Sequence, residues 1–147
     1  FGEGSDKRTD EDVWEALRIA QSEEFVKAKG GLDADTEQLG KNLSGGQKQR
    51  LSIARAICRD PEFYILDDTF SALDMKTDRD LREALKKKAE HSTKIIVAQR
   101  ISTIVDADLI LVLDEGKVAG LGKHYDLLET CPVYREIASS QMAEGTI

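Results

Sequence analysis

A four-residue segment, Ser44-Gly45-Gly46-Gln47, has the composition of a phosphate-binding site. It opens a stretch whose apolar residues recur at helical spacing, so its glycines are predicted to begin a helix. The first turn of a helix presents unpaired N–H groups and the positive end of the helix dipole, and glycine lets an anion approach the backbone closely. The same residues would also suit a helix cap that binds nothing.

A pair of carboxylates, Asp67-Asp68, follows the short apolar run Phe63-Tyr64-Ile65-Leu66. Such a run is typical of a buried parallel strand, and ligands of open α/β sheets bind at the carboxyl ends of the strands. Asp67 is therefore placed to hold Mg²⁺ through water, because this ion prefers oxygen ligands and keeps much of its hydration shell. The alternative is that Asp67 only caps a helix. With this strand and its aspartates behind it, Ser44–Gln47 is predicted to bind phosphate.

The elements that must position these residues alternate between helix and strand. Leu51, Ala54 and Ile57 predict a helix from the two glycines to Arg59, and Pro61 ends it. Two further helices are predicted, one capped by Thr9 with Asp12 three residues on, the other over Thr77–Glu90 with a Thr77/Asp80 capping box. The remaining predicted elements are a strand over Lys94–Ala98, a hairpin of Leu109–Leu113 and Lys117–Gly120, and short helices near Tyr125–Thr130 and Tyr134–Gln141. This alternation predicts an α/β fold with a largely parallel sheet core.

Histidine and cysteine give no sign of a metal centre. His91 and His124 lack a second ligand at a suitable spacing, so we expect both at the surface. Cys58 and Cys131 are far apart in the sequence and provide neither a disulfide framework nor a metal site. This use of cysteine favours a reducing compartment.

The segment Leu43-Ser44-Gly45-Gly46-Gln47 resembles, letter for letter, the signature motif of ATP-binding cassette (ABC) ATPases. The strand that ends at Asp67 resembles the Walker B motif of that family, Ser71-Ala72-Leu73-Asp74 resembles its D-loop, and Gln99 stands where its switch histidine would. Four motifs in the family's order are far more specific than a lone glycine motif. The stretch after Asp114 is similar to the ATPase domains of exporters.

The resemblance implies a partial P-loop NTPase (RecA-like) core of parallel strands with the ABC helical subdomain, followed by a C-terminal β-hairpin and short helices. It divides the chain into a helical subdomain over 1–59, which ends with the signature, and the C-terminal part of the RecA-like core over 60–147. The cofactors it implies are ATP and Mg²⁺, with Asp67 as the metal ligand. The implied nucleotide contacts are Ser44, Gly45, Gly46, Gln47, Ser71 and Asp74.

The same resemblance implies partners. Signatures of this family act on a nucleotide held by a second ABC domain, so a head-to-tail dimer of nucleotide-binding domains is expected. Exporters of this kind carry a transmembrane domain in the same polypeptide, and they couple ATP binding and hydrolysis to transport. The expected location is therefore the cytoplasmic face of the cell membrane, with no nucleic acid as a partner.

Two positions depart from the family's pattern, and both are positions that the resemblance makes catalytic. Asp68 stands where the family usually carries Glu, and a carboxylate withdrawn by roughly 1 Å can lower a rate about a hundredfold. Gln99 can donate a hydrogen bond to a phosphate, but an amide cannot carry a proton as imidazole does. We therefore expect the noncatalytic-site half of a heterodimeric exporter, whose intact signature completes the partner's site. The alternative is an active homodimer that tolerates both residues.

A phosphate loop of the Walker A type is missing from the 147 residues. Gly40-Lys41 is followed by Asn42, and Gly122-Lys123 by His124, so neither pair fits the motif. The chain opens with Phe1 and is expected to be the rear part of a longer domain, which alone would bind ATP weakly and be inactive.

Composition narrows the remaining alternatives. The formal net charge of −7 argues against a broad nucleic-acid footprint, which needs clustered Lys and Arg. It therefore disfavours a soluble ABC-type ATPase of chromosome maintenance or repair. A noncatalytic module that only donates its signature stays open. The longest strongly apolar runs, such as Leu109–Leu113, are much shorter than the roughly 18 residues of a membrane span.

Overall fold

The computed structural model describes residues 8–143, except for the side chains of Leu39, Met142 and Ala143. Within this part the fold is a mixture of helices and two small sheets, which confirms the α/β class. The described residues divide into two compact units on either side of the boundary between Ile95 and Ile96. The first unit contains α1 (Asp10–Ile19), α2 (Glu23–Ala28), a 3₁₀ turn (Gln38–Gly40), α3 (Gly45–Cys58), β1 (Phe63–Asp67), α4 (Met75–Lys88) and the start of β2 (Thr93–Val97). The second contains α5 (Ile101–Ile104), β3 (Ile110–Asp114), β4 (Lys117–Gly122), α6 (His124–Thr130) and α7 (Pro132–Ala143).

The helix predicted after the Thr9 cap forms as α1, and the helix predicted to begin at the two glycines forms as α3. Thr9 caps α1, and its side chain and that of Asp12 satisfy each other's backbone N–H groups in a capping box. Helix α1 packs against α3 through a face that includes the fully buried Leu17. The short helix α2 follows α1 after a break at Gln21, whose backbone is left-handed and which the sequence pattern did not reveal, and the 3₁₀ turn lies in a segment predicted as a loop.

Strand β1 covers the predicted residues, but only one of its faces is buried. Tyr64 and Leu66 are buried, while Phe63 is 63% and Ile65 73% exposed. The strand was expected to be buried on both faces; the described residues cover one face only. The Glu62 carbonyl accepts the Thr93 N–H at 2.9 Å, and β1 and β2 are neighbouring strands that start side by side.

Helix α4 begins two residues before the predicted start. Its N-cap is Asp74, whose carboxylate accepts the Thr77 N–H at 3.0 Å, so the Thr77/Asp80 capping box was wrong. Asp74 precedes the same apolar helical face, and aspartate is preferred over threonine at an N-cap.

The second unit is built on the predicted hairpin. Strands β3 and β4 are antiparallel, and Glu115 and Gly116 both have left-handed backbones, with φ of 46° and 75°. Two left-handed residues in a two-residue loop match the twist of a hairpin. Helices α6 and α7 pack together, and the buried core of this unit is Ile101, Ile110, Val112, Leu127, Cys131, Tyr134 and Ala138.

His124 contradicts the surface prediction, whereas His91 is exposed as expected. The His124 side chain is buried, and its Nδ1 lies 2.9 Å from the hydroxyl of Tyr134. Tyr134 provides the hydrogen-bond partner that a buried imidazole needs. The surface prediction considered only metal ligands and therefore missed this tyrosine. Burial also raises the pKa of Tyr134 above its ordinary value.

None of the helices that the structure describes is both long and apolar enough to cross a membrane.

Candidate functional site

The predicted phosphate-binding segment forms the first turn of α3. Ser44 is the N-cap, and its Oγ accepts the Gln47 N–H at 3.2 Å, while the Gln47 side-chain oxygen accepts the Ser44 N–H at 3.0 Å. This reciprocal pair orients the turn and uses the Gln47 N–H. The N–H groups of Gly45 and Gly46 have no partner inside the helix by its geometry, and the Ser44 hydroxyl still has its proton to donate. These groups are the ones available to an anion.

The second glycine of the segment also has a role in packing. A Cβ added to Gly46 would lie 3.0 Å from the Ala72 carbonyl oxygen and 3.7 Å from a Leu73 methyl carbon. A Cβ on Gly45 would meet only the Ala72 Cβ at 3.9 Å, an ordinary contact. The start of α3 therefore lies directly against the D-loop, and Gly46 permits this approach.

Asp67 and Asp68 lie where β1 ends, as predicted, and both are exposed. Asp68 has a left-handed backbone, with φ of 47°. Aspartate tolerates this conformation better than most residues. The left-handed backbone of Asp68 turns the chain sharply out of β1 and into the D-loop.

A small hydrogen-bond network holds the turn after Asp68. The Ser71 hydroxyl donates to the Asp68 carbonyl at 3.0 Å, and the Gln49 side-chain nitrogen lies 3.2 Å from the Ser71 oxygen. The same nitrogen lies 3.4 Å from the Asp68 carbonyl, and the Gln49 oxygen accepts the Ala72 N–H at 3.1 Å. Gln49 thus links α3 to both ends of this turn. No signal in the sequence indicated this role of Gln49, because its hydrogen-bond partners lie 19 to 23 residues further along the chain.

The last D-loop residue, Asp74, is committed to capping α4 through its contact with the Thr77 N–H. This hydrogen bond is the main cause that lowers the pKa of Asp74 below its ordinary value, helped by the Thr77 side chain. The lowered pKa favours the charged carboxylate, which suits the N-terminus of a helix. The backbone bond of this cap uses the Oδ1 atom of the carboxylate.

Gln99 belongs to the second unit, where it follows β2 with its side chain exposed. Its backbone carbonyl accepts a hydrogen bond from the Gln141 side-chain nitrogen at 2.7 Å. The Gln141 oxygen accepts the Ile101 N–H at 2.8 Å. The amide of Gln99 itself is left to face solvent or a ligand.

Asp67, the metal ligand predicted by the sequence, belongs to no larger cluster of ligand side chains among the described residues. Within residues 8–143, no three or more His, Cys, Asp or Glu side chains cluster in a way that could hold a metal ion. A single exposed carboxylate fits an ion that keeps its waters and takes further ligands from phosphates, as Mg²⁺ does in nucleotide sites. Asp67 has the chemistry for that arrangement.

Comparison with known proteins agrees with these features. The family model described as ABC transporter matches residues 5–71. An uncharacterized ABC transporter ATP-binding protein of Mycobacterium tuberculosis is 45% identical over 148 residues, which cover 100% of this chain and 25% of that protein. An ATP-dependent lipid A-core flippase of Vibrio vulnificus is 41% identical over 95% of this chain and 24% of its own length.

A solved structure is similar over the same region. The structure of a bacterial Atm1-family ABC exporter with ATP bound has a TM-score of 0.87 and 37% sequence identity, and the match covers 93% of this chain and 24% of that one. The fold and the motifs together are similar to those of an ABC ATP-binding domain. The similar proteins with a stated activity include a flippase and an exporter. The chain spans about a quarter of the length of the curated relatives that it matches.

Proposed function

We propose that this chain is part of the ATP-binding and ATP-hydrolysing domain of an ABC exporter, which couples ATP binding and hydrolysis to transport across the membrane. The observation that carries the proposal is the start of α3, where an intact signature with free glycine N–H groups packs against the D-loop beside Asp67 and Asp68. The relatives that include a flippase and an Atm1-family exporter support the transport role.

The proposed work of each residue follows from its chemistry. The N–H groups of Gly45 and Gly46 and the hydroxyl of Ser44 bind the γ-phosphate of ATP held by a second nucleotide-binding domain in a head-to-tail dimer. Asp67 holds Mg²⁺ through water, and the bound ion neutralises charge on the phosphates. Ser71 and Asp74 lie in the D-loop, at the edge of the same site.

We further propose that the domain forms the slow half of a heterodimer. At this domain's own ATP site, Asp68 is the position of the group that orients the attacking water, and its carboxylate is one methylene shorter than the usual glutamate. Gln99 at the switch position can bind a phosphate oxygen but cannot relay a proton. Because Ser44–Gln47 are unaltered, the partner's site retains a complete signature.

The test compares two carboxylate deletions in the full transporter. We expect Asp68→Asn to leave most of the ATP turnover intact and removal of the partner's carboxylate to abolish it. Equal loss in both variants would show that Asp68 belongs to a competent site, and the heterodimer proposal would then be wrong. No ATP turnover in the unmodified transporter would overturn the ATPase function itself.

The remaining parts of the proposal concern place and domain organisation. Residues 1–59 act as the helical subdomain and 60–147 as the rear of the RecA-like core, at the cytoplasmic face of the membrane and joined to a transmembrane domain. The 147 residues alone contain no Walker A motif, so we expect them to bind MgATP weakly and not to hydrolyse it. Isothermal titration of these residues that showed tight binding would contradict this.

A further inference from the structure

The backbone segments that carry Asp68 and Gln99 are each bridged by one glutamine from a distant helix. Gln49 of α3 joins the Asp68 carbonyl to the Ala72 N–H. Gln141 of α7 joins the Gln99 carbonyl to the Ile101 N–H. In both cases the amide nitrogen donates to the carbonyl of the proposed catalytic residue, and the amide oxygen accepts an N–H a few residues further on.

We infer that Gln49 and Gln141 are positioning residues, one for Asp68 and one for Gln99. A glutamine amide has one donating and one accepting end, so a carbonyl and an N–H together fix its orientation. A side chain fixed in this way holds two backbone points at a set separation. The segment between them then has less freedom, and the catalytic side chain starts from a defined place.

The two bridges differ in strength. The Gln141 bonds are short, at 2.7 and 2.8 Å, and they are the only described side-chain bonds to the backbone of Gln99 and Ile101. The Gln49 bonds are longer, at 3.1 to 3.4 Å, but Ser71 adds a bond of 3.0 Å to the same Asp68 carbonyl. We therefore expect the segment at Gln99 to depend on its glutamine more than the segment at Asp68 does.

Gln49 stands two residues after the segment Leu43–Gln47, and Gln141 lies near the end of the described chain. The catalytic role of the two glutamines rests on the proposed function, because they act through Asp68 and Gln99. Their effect on the backbone does not depend on the proposed function.

Hydrogen exchange measured by mass spectrometry on the full-length protein without nucleotide tests the inference. Gln49→Leu and Gln141→Leu keep helix propensity and size but remove both ends of the bridge. We expect Gln49→Leu to speed exchange of the segment 68–72 severalfold, and Gln141→Leu to speed exchange of 99–101 roughly tenfold, each with no change in the other segment. Each variant is thus the matched control of the other.

The glutamate variants add a second measurement. Gln49→Glu and Gln141→Glu keep the accepting oxygen and lose the donor, so their exchange rates should fall between those of the wild type and the leucine variants. Arg55→Leu, an exposed change on α3, should leave both segments unchanged. Equal acceleration in both segments by one variant, or no acceleration by either leucine variant, would overturn the inference.

Activity gives the third measurement. In a transporter that carries Asp68→Glu and Gln99→His and whose partner lacks its own carboxylate, turnover comes from this site. In that background the leucine variants should lower kcat for ATP and leave KM within about twofold, because the groups that bind ATP are not replaced. A rise in KM with unchanged kcat would contradict positioning. If the unmodified protein hydrolyses no ATP, the proposed function fails while the exchange result still decides whether the bridges hold the backbone.

Discussion

The segments around Asp68 and Gln99 lie in different units, and the chain holds them to different degrees. After Asp68, the buried side chains of Phe70 and Leu73 anchor the turn, and Gln49 and Ser71 bond to its backbone. After Gln99, Arg100 begins α5 without a side-chain cap, and Gln141 is the described side chain that bonds there. The segment after Asp68 is therefore held by buried packing and by two side chains, whereas the segment after Gln99 has the side chain of Gln141 on α7 as its described support.

We expect the greatest change in activity when the family's usual residues are restored in both segments. Asp68→Glu with Gln99→His should raise ATP turnover at this site, by up to about a hundredfold, because the longer carboxylate reaches the attacking water and imidazole can relay a proton. Turnover is measured in a transporter whose partner lacks its own carboxylate. The gain from Asp68→Glu is reduced by the left-handed backbone, which glutamate tolerates less well than aspartate.

The matched control is Asp68→Asn with Gln99→His. Asparagine accepts the left-handed backbone and keeps the shape of the side chain, but it carries no charge. It should give no gain. If the restored pair also gave no gain, the two departures would not be the reason for a slow site.

The next effect tests how tightly the first unit is assembled. Gly46→Ala places a Cβ about 3.0 Å from the Ala72 carbonyl oxygen, so the D-loop must move and the free energy of unfolding should fall by about 1–3 kcal/mol. Gly45→Ala meets only an ordinary contact and should change it by less than about 0.5 kcal/mol. Denaturant unfolding compares the two; an equal loss in both would mean that the D-loop contact is not the constraint.

The third effect concerns the packing of α7 in the second unit. Tyr134→Phe removes the hydroxyl that partners the buried His124, and it should lower the free energy of unfolding by about 1–2 kcal/mol. Tyr134, Ala138 and Gln141 recur at helical spacing on α7, so hydrogen exchange at 99–101 should also rise. Tyr125→Phe, at a side chain that is 77% exposed, serves as the control. Faster exchange around Asp68 instead would contradict the proposed independence of the two segments.

The smallest effect is a dependence on pH at the end of the D-loop. The pKa of Asp74 is lowered in the folded chain by the Thr77 N–H, so its cap stabilises α4 above the ordinary aspartate pKa of 3.8 and is lost as the pH falls below it. Asp74→Asn keeps the cap without a titrating group. The difference in stability between wild type and variant should therefore shrink below about pH 4, and a constant difference would contradict the assignment.

Local signals in the sequence were sufficient for most of the fold. The Thr9/Asp12 pair, the glycines before α3 and the turn at Asp114-Glu115-Gly116 act within a few residues, and each element formed where predicted. The predicted start of α4 was wrong because two residues that can cap a helix, Asp74 and Thr77, lie within four positions of each other. Asp74 prevails there by bonding to the Thr77 N–H.

The candidate site was predictable in its members but not in its contacts. Motif order indicated Ser44–Gln47, Asp67 and Asp68 from the sequence. The approach of Gly46 to Ala72 and the bridges of Gln49 and Gln141 join residues that are 19 to 42 positions apart, so only the folded chain reveals them. The burial of His124 belongs to the same class of error, since tertiary packing overrides a residue's usual preference for the surface.

The contact between Gly46 and the Ala72 carbonyl affects how a loss-of-function variant at this glycine should be interpreted. Because Gly46 is also a proposed phosphate contact, loss of function in a variant at this position would first suggest a lost ATP contact. Here the same phenotype would arise from a steric clash inside one polypeptide, before any nucleotide or second domain is present. Genetic suppressors would then map to the D-loop of the same chain, and supplying more ATP would not restore the function of the variant.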